Sequence, residues 1–248
     1  MNIALIGYGK MGKMIESVAL SRGHQIVCVI DPAQTAQEDS NLQILKSSNF
    51  QSPAFRSADV AIEFSRPDAA ESNIRQAIAQ NVPVVSGTTG WNVEALREEM
   101  SQQPTANSQE PDTGHPGIIW SSNYSIGVNI LFAVNRYLAQ LLHHSGGYTP
   151  SITEVHHIHK LDAPSGTAVT LAQDIRNQIS EIRCQIESIR EGEVPGIHEV
   201  RWESDADILT LRHEAKSRQG FALGAVLAAE YLAGKRGWHT MNEVMNIN

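Results

Sequence analysis

The sequence has little cysteine and little positive charge. Its 248 residues include only two cysteines, Cys28 and Cys184, which are too few and too far apart for a disulfide framework and are typical of a reducing compartment. The 19 Lys and Arg residues are outnumbered by 27 Asp and Glu residues, so the formal net charge is −8. This excess of acid argues against a nucleic-acid or anionic-membrane partner, although a local basic pocket for a small anion stays open.

Long hydrophobic runs are also missing. The apolar start of the chain is interrupted by Gly7, Gly9, Lys10, Gly12 and Lys13, so we predict neither a signal peptide nor a membrane span there. Hydrophobic residues make up 41% of the chain and charged residues 19%, which excludes a disordered or collagen-like composition. We therefore expect a folded cytoplasmic protein with one large or two medium domains.

The first half of the chain alternates between short apolar runs and amphipathic segments. We predict strands at 2–6, 26–30, 60–64, 82–85 and 118–120, and helices after residue 12, at 67–80 and at 92–100. Residues 101–117 contain almost no apolar side chain and are interpreted as a solvated surface loop. Strands that alternate with helices in this way predict an α/β fold with a parallel sheet covered on both faces.

The pattern changes after residue 125. We predict a long apolar helix at 128–142, strands at 151–157, 181–190, 198–204 and 207–213, and helices at 165–179 and 220–234. Strands in runs of this kind indicate a mixed or antiparallel sheet in a smaller α+β domain. We therefore expect residues 1–124 and 218–248 to form one domain and residues 125–217 to form a second domain.

A glycine-rich turn follows the first predicted strand. It reads Gly7-Tyr8-Gly9-Lys10-Met11-Gly12, and Asp31 lies at the end of the next strand. In such a turn the first glycine allows a sharp bend, the second lets a pyrophosphate approach the backbone, and the third lets helix and strand pack closely. Asp31 would then hydrogen-bond the adenosine ribose, and the helix N-terminus would bind the phosphates. The pattern predicts a Rossmann-like dinucleotide-binding domain; the alternative is a glycine turn of an unrelated α/β protein in which Asp31 caps the strand.

The neighbours of Asp31 favour NADH over NADPH. A 2′-phosphate would repel the Asp31 carboxylate unless an Arg lay nearby, and residues 32–34 contain none. Lys10 and Lys13 lie close to the expected phosphates, so additional use of NADPH stays open.

The densest group of reactive side chains lies between Glu154 and Ala168. His156, His157, His159 and Lys160 fall within five residues, and Ser165-Gly166-Thr167 opens a predicted helix with Ser165 as its N-cap. A cationic Lys, a helix N-terminus and histidines that titrate near neutrality suit binding of a small dicarboxylic acid and proton donation to it. One alternative is a metal site, which we do not expect without a partnering set of ligands. The other is a solvated strand end.

Several motifs spread over nearly the whole chain point to one family. They are Gly7–Gly12, Ser86-Gly87-Thr88-Thr89-Gly90, Ser122-Asn123-Tyr124-Ser125-x-Gly127-Val128-Asn129, Glu154-x-His156-His157-x-x-Lys160-x-Asp162-Ala163-Pro164-Ser165-Gly166-Thr167-Ala168, Arg190-Glu191-Gly192-x-Val194-Pro195-Gly196 and His213-x-Ala215-x-Ser217-Arg218. Together they resemble the 4-hydroxy-tetrahydrodipicolinate reductase family, long called dihydrodipicolinate reductases. The segment 154–168 is highly specific, whereas the glycine turn is not. The chain departs from the family in having a shorter connection and no basic residue after Asp31, a longer polar stretch at 101–117, and Tyr124 where Phe is common.

The resemblance implies an NAD(P)H-dependent reductase of a cyclic unsaturated imine dicarboxylate in diaminopimelate and lysine biosynthesis, assembled as a homotetramer. It implies that His156 is the acid/base group and that Lys160 is a second proton donor at the substrate nitrogen. The implied substrate-binding residues are His157, Lys160, Ser165, Gly166, Thr167 and Arg218. The implied cofactor-binding residues are Gly7, Tyr8, Gly9, Lys10, Met11, Gly12 and Asp31, with Gly87, Thr88, Thr89, Ser121, Ser122, Asn123 and Tyr124 around the nicotinamide.

Two other classes of protein are set against this one. One is another nicotinamide-dependent dehydrogenase of a small carboxylic acid, such as a semialdehyde or amino-acid dehydrogenase. A semialdehyde dehydrogenase needs a nucleophilic Cys, but both cysteines fall inside predicted strands rather than turns. A non-catalytic NAD-binding regulatory protein would have no use for His156, Lys160 and residues 165–167 as they stand.

Overall fold

The computed structural model describes residues 1–31, 45–46, 50–102 and 114–247. In chain order its elements are β1 (Asn2–Ile6), α1 (Lys10–Ser21), β2 (Gln25–Ile30), β3 (Leu45–Lys46), α2 (Pro53–Arg56), β4 (Val60–Glu63), α3 (Pro67–Ala79), β5 (Val84–Ser86), α4 (Val93–Gln102), β6 (Ile118–Trp120), α5 (Ile126–Ser145), β7 (Thr149–His156), α6 (Gly166–Gln178), β8 (Gln185–Arg190), β9 (Ile197–Glu203), β10 (Ile208–Glu214), α7 (Gln219–Leu232), β11 (Trp238–His239) and α8 (Met241–Val244). Most of the loop expected at 101–117, and the residues that follow Asp31, lie outside the described ranges.

The chain divides into two compact units. The first unit contains Met1–Tyr124 and Phe221–Asn248, and the second contains Ser125–Gly220. We expected the chain to change domain after residues 124 and 217; the second change comes later, after Gly220. As a result Arg218 lies in the second unit.

The first unit is built on a parallel sheet. Its seven strands run in the order β11-β6-β5-β4-β1-β2-β3, and every neighbouring pair is parallel. From β1 the chain proceeds outward through β2 and β3, and it then returns to β4 on the other side of β1. The strand order therefore reverses between β1 and β4, and open α/β sheets bind their ligands beyond the carboxyl ends of the strands at such a point.

The parallel sheet is covered on both faces because its strands are apolar on both sides. In β1, Ile3 and Leu5 face a core that contains residues of α1 and α7, whereas Ala4 and Ile6 face a core that contains residues of α2, α3 and α4. Alternate residues of a strand point to opposite faces, so a continuous apolar run is what such a strand requires. Helix α7 contributes six buried residues to the first of these cores, and its half-buried Leu223 and Tyr231 pack against them; the six are Ala222, Ala225, Val226, Ala228, Ala229 and Leu232.

The second unit has a smaller, mixed sheet. Its strand order is β10-β9-β7-β8; β7 and β8 are parallel, and the other neighbours are antiparallel. Ile152, Val200 and Trp202 point from β7 and β9 into a core shared with residues of α5 and α6, such as Ala139 and Leu171. The predicted fold class, an α/β sheet with a smaller α+β domain, is thereby confirmed.

The differences from the predicted elements concern short segments and element ends. The strand expected at 181–190 begins only at Gln185, so Cys184 lies before it rather than within it. Helix α5 begins at Ile126, earlier than expected, because the Ser125 hydroxyl accepts a hydrogen bond from Val128 N and caps the helix. Among the described helices, α5 included, none combines the length and hydrophobicity that a membrane crossing requires.

Candidate active site

The glycine-rich turn connects β1 to α1 in the first unit. Gly7 has a φ of +89°, and its amide donates to Ile30 O at 2.8 Å. A Cβ atom added to Gly7 would lie 2.2 Å from Phe64 O. Both the left-handed backbone and the close contact with the residue that follows β4 therefore require glycine at this position.

Gly9 and Gly12 differ in what surrounds them. A Cβ atom on Gly12 would lie 2.4 Å from Gly7 O, whereas one on Gly9 would have nothing within 4 Å. Gly9 is the N-cap of α1 without a side-chain cap, and the first amide bonded to it along the helix is that of Lys13. The helix start thus offers backbone N–H groups beside an open space, which fits the pyrophosphate of a dinucleotide.

Asp31 lies beside this turn at the end of β2. Its Oδ2 accepts a hydrogen bond from Tyr8 N at 2.6 Å, and the Tyr8 hydroxyl donates to Glu16 on α1. The carboxylate is half-buried. The structure therefore places Asp31 next to the glycine turn, as a contact with the adenosine ribose would require.

The carboxyl ends of β4 and β5 are joined by a buried carboxylate that the sequence did not reveal. Glu63 accepts hydrogen bonds from Ser65 N at 2.9 Å, Ser86 Oγ at 2.6 Å and Thr88 Oγ1 at 2.8 Å. Thr88 is accordingly buried, while Thr89 is exposed. These bonds fix the start of the turn 87–90, where a Cβ on Gly87 would overlap the Phe64 ring at 2.2 Å.

The segment after β6 lies beside that turn. The Tyr124 hydroxyl donates to Ser86 O at 2.8 Å, and Ile119 O lies 3.2 Å away. Burial, followed by the charge of Glu63, raises the Tyr124 pKa well above its ordinary value. Tyr124 is 2% exposed and Asn123 is buried, whereas Ser122 is exposed. The buried Tyr124 side chain thus contacts the backbone near the ends of β5 and β6. The role of Ser121–Tyr124 around the nicotinamide stays a prediction.

The reactive segment of the second unit continues the buried face of its sheet. Along β7 the buried side chains change from Ile152 to Glu154 and His156, and the cross-strand partner of Glu154 on β9 is His198. The same face is therefore apolar beneath α5 and α6 and becomes polar at the carboxyl end of β7. Glu154 is completely buried.

Glu154 connects β7 to the start of α6 and to β8. Its carboxylate is hydrogen-bonded to His156 Nδ1 and accepts from Ser165 N at 3.2 Å and from the Arg190 guanidinium at 2.9 Å. Burial by itself would raise the Glu154 pKa, but hydrogen bonds from Arg190, Ser188 and His156 outweigh it and hold the pKa below its ordinary value. Glu154 is therefore an ionised carboxylate.

His156 is surrounded by charges of both signs. Burial lowers its pKa, Glu154 raises it, and the nearby positive charges of Lys160 and Arg190 lower it, with a net pKa below the ordinary value. The His198 ring lies 5.0 Å from the His156 ring in an edge-to-face arrangement. His156 is thus uncharged at neutral pH and can accept a proton.

His198 and Ser165 are buried next to Glu154 and His156. Burial, and then the charge of His156, lower the His198 pKa to about 3, so this ring is neutral at physiological pH. His198 Nε2 lies 3.1 Å from Ser165 Oγ, which also accepts from Ala168 N and so caps α6. The Ser165 side chain is 2% exposed, and the helix N–H groups that follow it belong to the exposed Gly166 and the half-buried Thr167.

Lys160 lies on the loop between β7 and α6. Its Nζ is 2.7 Å from Asp162 Oδ1. Burial by itself would raise the Asp162 pKa, but the hydrogen bond and the charge of Lys160, together with smaller effects that include Arg190, hold this pKa below its ordinary value. Arg190 donates to the backbone carbonyls of Lys160 at 3.3 Å and Asp162 at 2.6 Å. The same guanidinium therefore contacts Glu154 and holds the loop that carries the ammonium group.

The other residues predicted to bind the substrate are His157 and Arg218. His157 follows His156 and is half-buried, with an Nδ1 atom that has no partner among the described residues. Arg218 is exposed at the end of the second unit, and no ion pair is recorded for it within the described ranges. Sequence reasoning did not reveal that Glu154, Arg190 and His198 contact this group. Strand alternation could have placed Glu154 beside His156, but the other two come from different strands.

The spacing of Glu154, His156 and His198 would also admit a metal ion, since their ligand atoms lie within 4.8 Å of one another. The Glu154 oxygens, however, already accept hydrogen bonds from Arg190, Ser165 and His156. A carboxylate with a guanidinium at 2.9 Å is better suited to orient a histidine than to bind a second cation.

The fold and the two sets of residues define a class of protein, the nicotinamide-dinucleotide-dependent oxidoreductases. The family described as "Dihydrodipicolinate reductase, N-terminus" matches residues 1–124, and "Dihydrodipicolinate reductase, C-terminus" matches residues 127–245. The chain belongs to the dihydrodipicolinate reductase family. Its function is that of a 4-hydroxy-tetrahydrodipicolinate reductase, an NAD(P)H-dependent oxidoreductase of lysine and diaminopimelate biosynthesis.

Individual relatives agree with this assignment over their full length. The 4-hydroxy-tetrahydrodipicolinate reductase of Christiangramia forsetii is 41% identical, covering 99% of this chain and 98% of the relative. That of Clostridium novyi is 34% identical, covering 96% and 94%. Among solved structures, a dipicolinate-bound dihydrodipicolinate reductase from Paenisporosarcina sp. TG-14 matches with a TM-score of 0.77 and 23% identity, covering 100% of this chain and 99% of that one. The last comparison shows the shared fold.

Proposed function

We propose that this enzyme reduces a cyclic unsaturated imine dicarboxylate to tetrahydrodipicolinate, with NADH as the preferred cofactor. The observation that carries the proposal is the cluster of Glu154, His156 and Lys160 at the start of α6. It combines an oriented imidazole, an ammonium group and a helix N-terminus within one unit. These are the groups needed to protonate a substrate nitrogen and to bind carboxylates beside it.

The residues of the first unit fit a dinucleotide. Gly9 leaves open the space that a side chain would fill, and the N–H groups of Lys10, Met11 and Gly12 begin α1 beside it. Asp31 would hold the adenosine ribose, and Gly87, Thr88, Thr89 and 121–124 would lie around the nicotinamide. Bound NADH supplies a hydride to the conjugated imine.

The residues of the second unit would then hold the substrate and move its proton. The N–H groups of Gly166 and Thr167 begin α6 and would bind one carboxylate, with Lys160 and His157 contributing from the preceding loop. Ser165 supports this cradle as the helix cap. Lys160 would deliver the proton to the ring nitrogen as negative charge develops there, and His156, the acid/base group beside it, would take up a proton and return it. The exposed guanidinium of Arg218 would contact a carboxylate from the end of the unit.

The alternative of a thiol-dependent dehydrogenase is not supported by the two cysteines. Burial raises the pKa of Cys184 to about 11, against a smaller opposite effect of Arg176, and burial also raises the pKa of Cys28. A catalytic Cys requires a lowered pKa. Both thiols are free, which supports the proposed location in the reducing cytoplasm.

One assay tests the proposed reaction and cofactor together. Oxidation of NADH and NADPH is followed with enzymatically generated substrate, with and without 2,6-pyridinedicarboxylate as inhibitor. We expect turnover that the inhibitor suppresses and a higher kcat/KM with NADH, because Asp31 would repel a 2′-phosphate. A clear advantage of NADPH would refute the cofactor preference, and absence of turnover with either cofactor would refute the reaction.

We also propose that the chain forms a homotetramer through its second unit. Ile130, Val134, Tyr137 and Leu141 lie on one face of α5 and are between 41% and 63% exposed. Ile189, Ile208 and Leu209 on the sheet strands are exposed as well. Large apolar side chains grouped in this way are typical of a surface that is covered by another subunit.

Negative charges introduced into the α5 stripe, the surface formed by Ile130, Val134, Tyr137 and Leu141, should weaken this assembly. We expect sedimentation velocity to show a tetramer for the wild type and smaller species for Val134→Glu/Tyr137→Glu, because burying two carboxylates in an apolar contact is costly. Gln140→Glu, on the same helix outside the stripe, should remain tetrameric. A monomeric wild type would contradict the tetramer, and a tetrameric double variant would place the contact elsewhere.

A further inference from the structure

The Glu154 carboxylate is in direct contact with the proposed proton-transfer group. Strand β7 places Glu154 two residues before His156 on the same buried face, and its Oε2 is hydrogen-bonded to His156 Nδ1. Glu154 is 0% exposed and thus inaccessible to a substrate. Any part that it plays in the reaction must therefore be exerted through the groups bonded to it, and among these His156 is the one proposed to transfer a proton.

The surroundings of Glu154 keep it an acceptor. Ser165 N and the Arg190 guanidinium both donate to Oε1, at 3.2 Å and 2.9 Å. An ionised carboxylate can only accept hydrogen bonds, so in the contact with Glu154 the proton must reside on His156 Nδ1. In the neutral ring this leaves a lone pair on Nε2.

The second ring nitrogen of His156, Nε2, differs from Nδ1 in its surroundings. No hydrogen bond to His156 Nε2 is recorded among the described residues. The neighbouring Gly196 adopts a φ of +152°, and a Cβ added there would lie 3.1 Å from Nε2. A glycine therefore leaves free the side of the ring from which Nε2 could exchange a proton.

We infer that Glu154 is a positioning residue which holds the proton of neutral His156 on Nδ1, so that Nε2 is the atom that accepts and returns the proton during turnover. This inference rests on the proposed role of His156 as acid/base group. Arg190 supports it from β8, because its guanidinium keeps the Glu154 carboxylate ionised while holding the loop of Lys160. In this arrangement one ion pair orients both groups proposed to transfer protons, His156 and Lys160.

The charges around His156 predict how its titration depends on Glu154. The groups that face the ring are Glu154 on its own strand, Arg190 on β8, His198 on β9 and Lys160 on the following loop. Of these, only Glu154 raises the His156 pKa; burial, Lys160 and Arg190 lower it. Removing the negative charge must therefore lower the His156 pKa further.

Glu154→Gln tests this directly, since an amide of the same size would donate to Nδ1 and move the ring proton to Nε2. We expect kcat to fall by about tenfold or more, and the His156 limb of the kcat/KM profile to shift down by about one pH unit or more. The KM for NADH should be unchanged. Glu193→Gln is the matched control, because Glu193 is 3.0 Å from the exposed His159, and it should keep the wild-type profile. A loss of kcat without a shifted limb, or a wild-type profile, would overturn the inference.

A measurement on the wild-type enzyme covers the case in which Glu154→Gln does not fold. The ¹⁵N shifts of the histidine rings distinguish the two neutral tautomers, and His156→Ala assigns the signals of His156. We expect a protonated Nδ1 above the titration of the ring; a protonated Nε2 would refute the inference. If His156→Ala keeps wild-type turnover, the proposed acid/base role fails, while the tautomer measurement still decides where Glu154 holds the proton.

Discussion

Replacing Lys160 with methionine is expected to lower kcat by about 10²–10⁴-fold, the usual contribution of a positioned proton donor. Lys160 Nζ is the ammonium group of the proposed substrate site and donates to Asp162 Oδ1 at 2.7 Å. Methionine keeps the length and apolar part of the side chain, and Asp162 is exposed, so the fold should be retained. The Kd for NADH should change little, because the glycine turn belongs to the other unit.

His156→Ala is expected to reduce kcat over the same range, again with nearly normal NADH binding. The Glu154 carboxylate left behind retains its bonds to Arg190 and Ser165, so it does not become an unpaired buried charge. His159→Ala is the control; this ring is exposed and paired with Glu193, and its loss should leave kcat near the wild-type value. Steady-state kinetics measures the loss of kcat, and titration with NADH measures cofactor binding separately. Near-normal turnover in both Lys160→Met and His156→Ala would remove the proton-donor assignment.

The parallel sheet could be predicted because each of its longer strands carries its own signal. The run Ile3-Ala4-Leu5-Ile6 is apolar on both faces, and the structure uses both faces, one for each core. The mixed sheet was equally predictable, because β7 and β9 alternate between buried and half-buried residues. Strand β11 was missed because Trp238–His239 is too short for any periodicity, and its pairing with β6 depends on the chain returning to the first unit.

The candidate site was only partly predictable for a physical reason. His156, Lys160 and Ser165 lie in one segment, and their chemistry can be recognised from neighbouring positions alone. Arg190 and His198 reach the same point from β8 and β9 through the pairing register, in which Arg190 lies opposite His156 and His198 opposite Glu154. The alternation of a strand indicates which face each side chain occupies, but a shift by two residues preserves that face, so a single sequence does not determine the register between strands so far apart. The buried network beneath the reactive side chains therefore emerged only from the structure.

Gly9→Ala should weaken binding of NADH, whereas Gly12→Ala should lower the stability of the fold. The comparison of the two variants tests the proposed cofactor site. A Cβ on Gly9 meets no protein atom within 4 Å, and its φ of −77° suits any residue. Gly9→Ala should therefore lower the melting temperature only slightly, because the new methyl group meets no protein atom and the cost is that of a poorer N-cap residue. Its methyl group would, however, occupy the space through which a pyrophosphate approaches the N–H groups of α1. Losing one charge-assisted hydrogen bond costs about 1.5–3 kcal/mol, so we expect the Kd for NADH to rise about 10–100-fold.

Gly12→Ala should mainly lower the stability of the fold. Its Cβ would lie 2.4 Å from the backbone oxygen of Gly7, which cannot move without displacing β1 from α1. Overpacking of this kind costs about 1–3 kcal/mol, so the melting temperature should fall markedly. Gly220→Ala adds a methyl group in open space elsewhere and should change neither property. Calorimetric titration with NADH and thermal unfolding of the three variants provide the comparison. If Gly9→Ala binds NADH as tightly as Gly220→Ala does, the pyrophosphate does not lie over the start of α1, and the cofactor site must be sought at another part of the sheet edge.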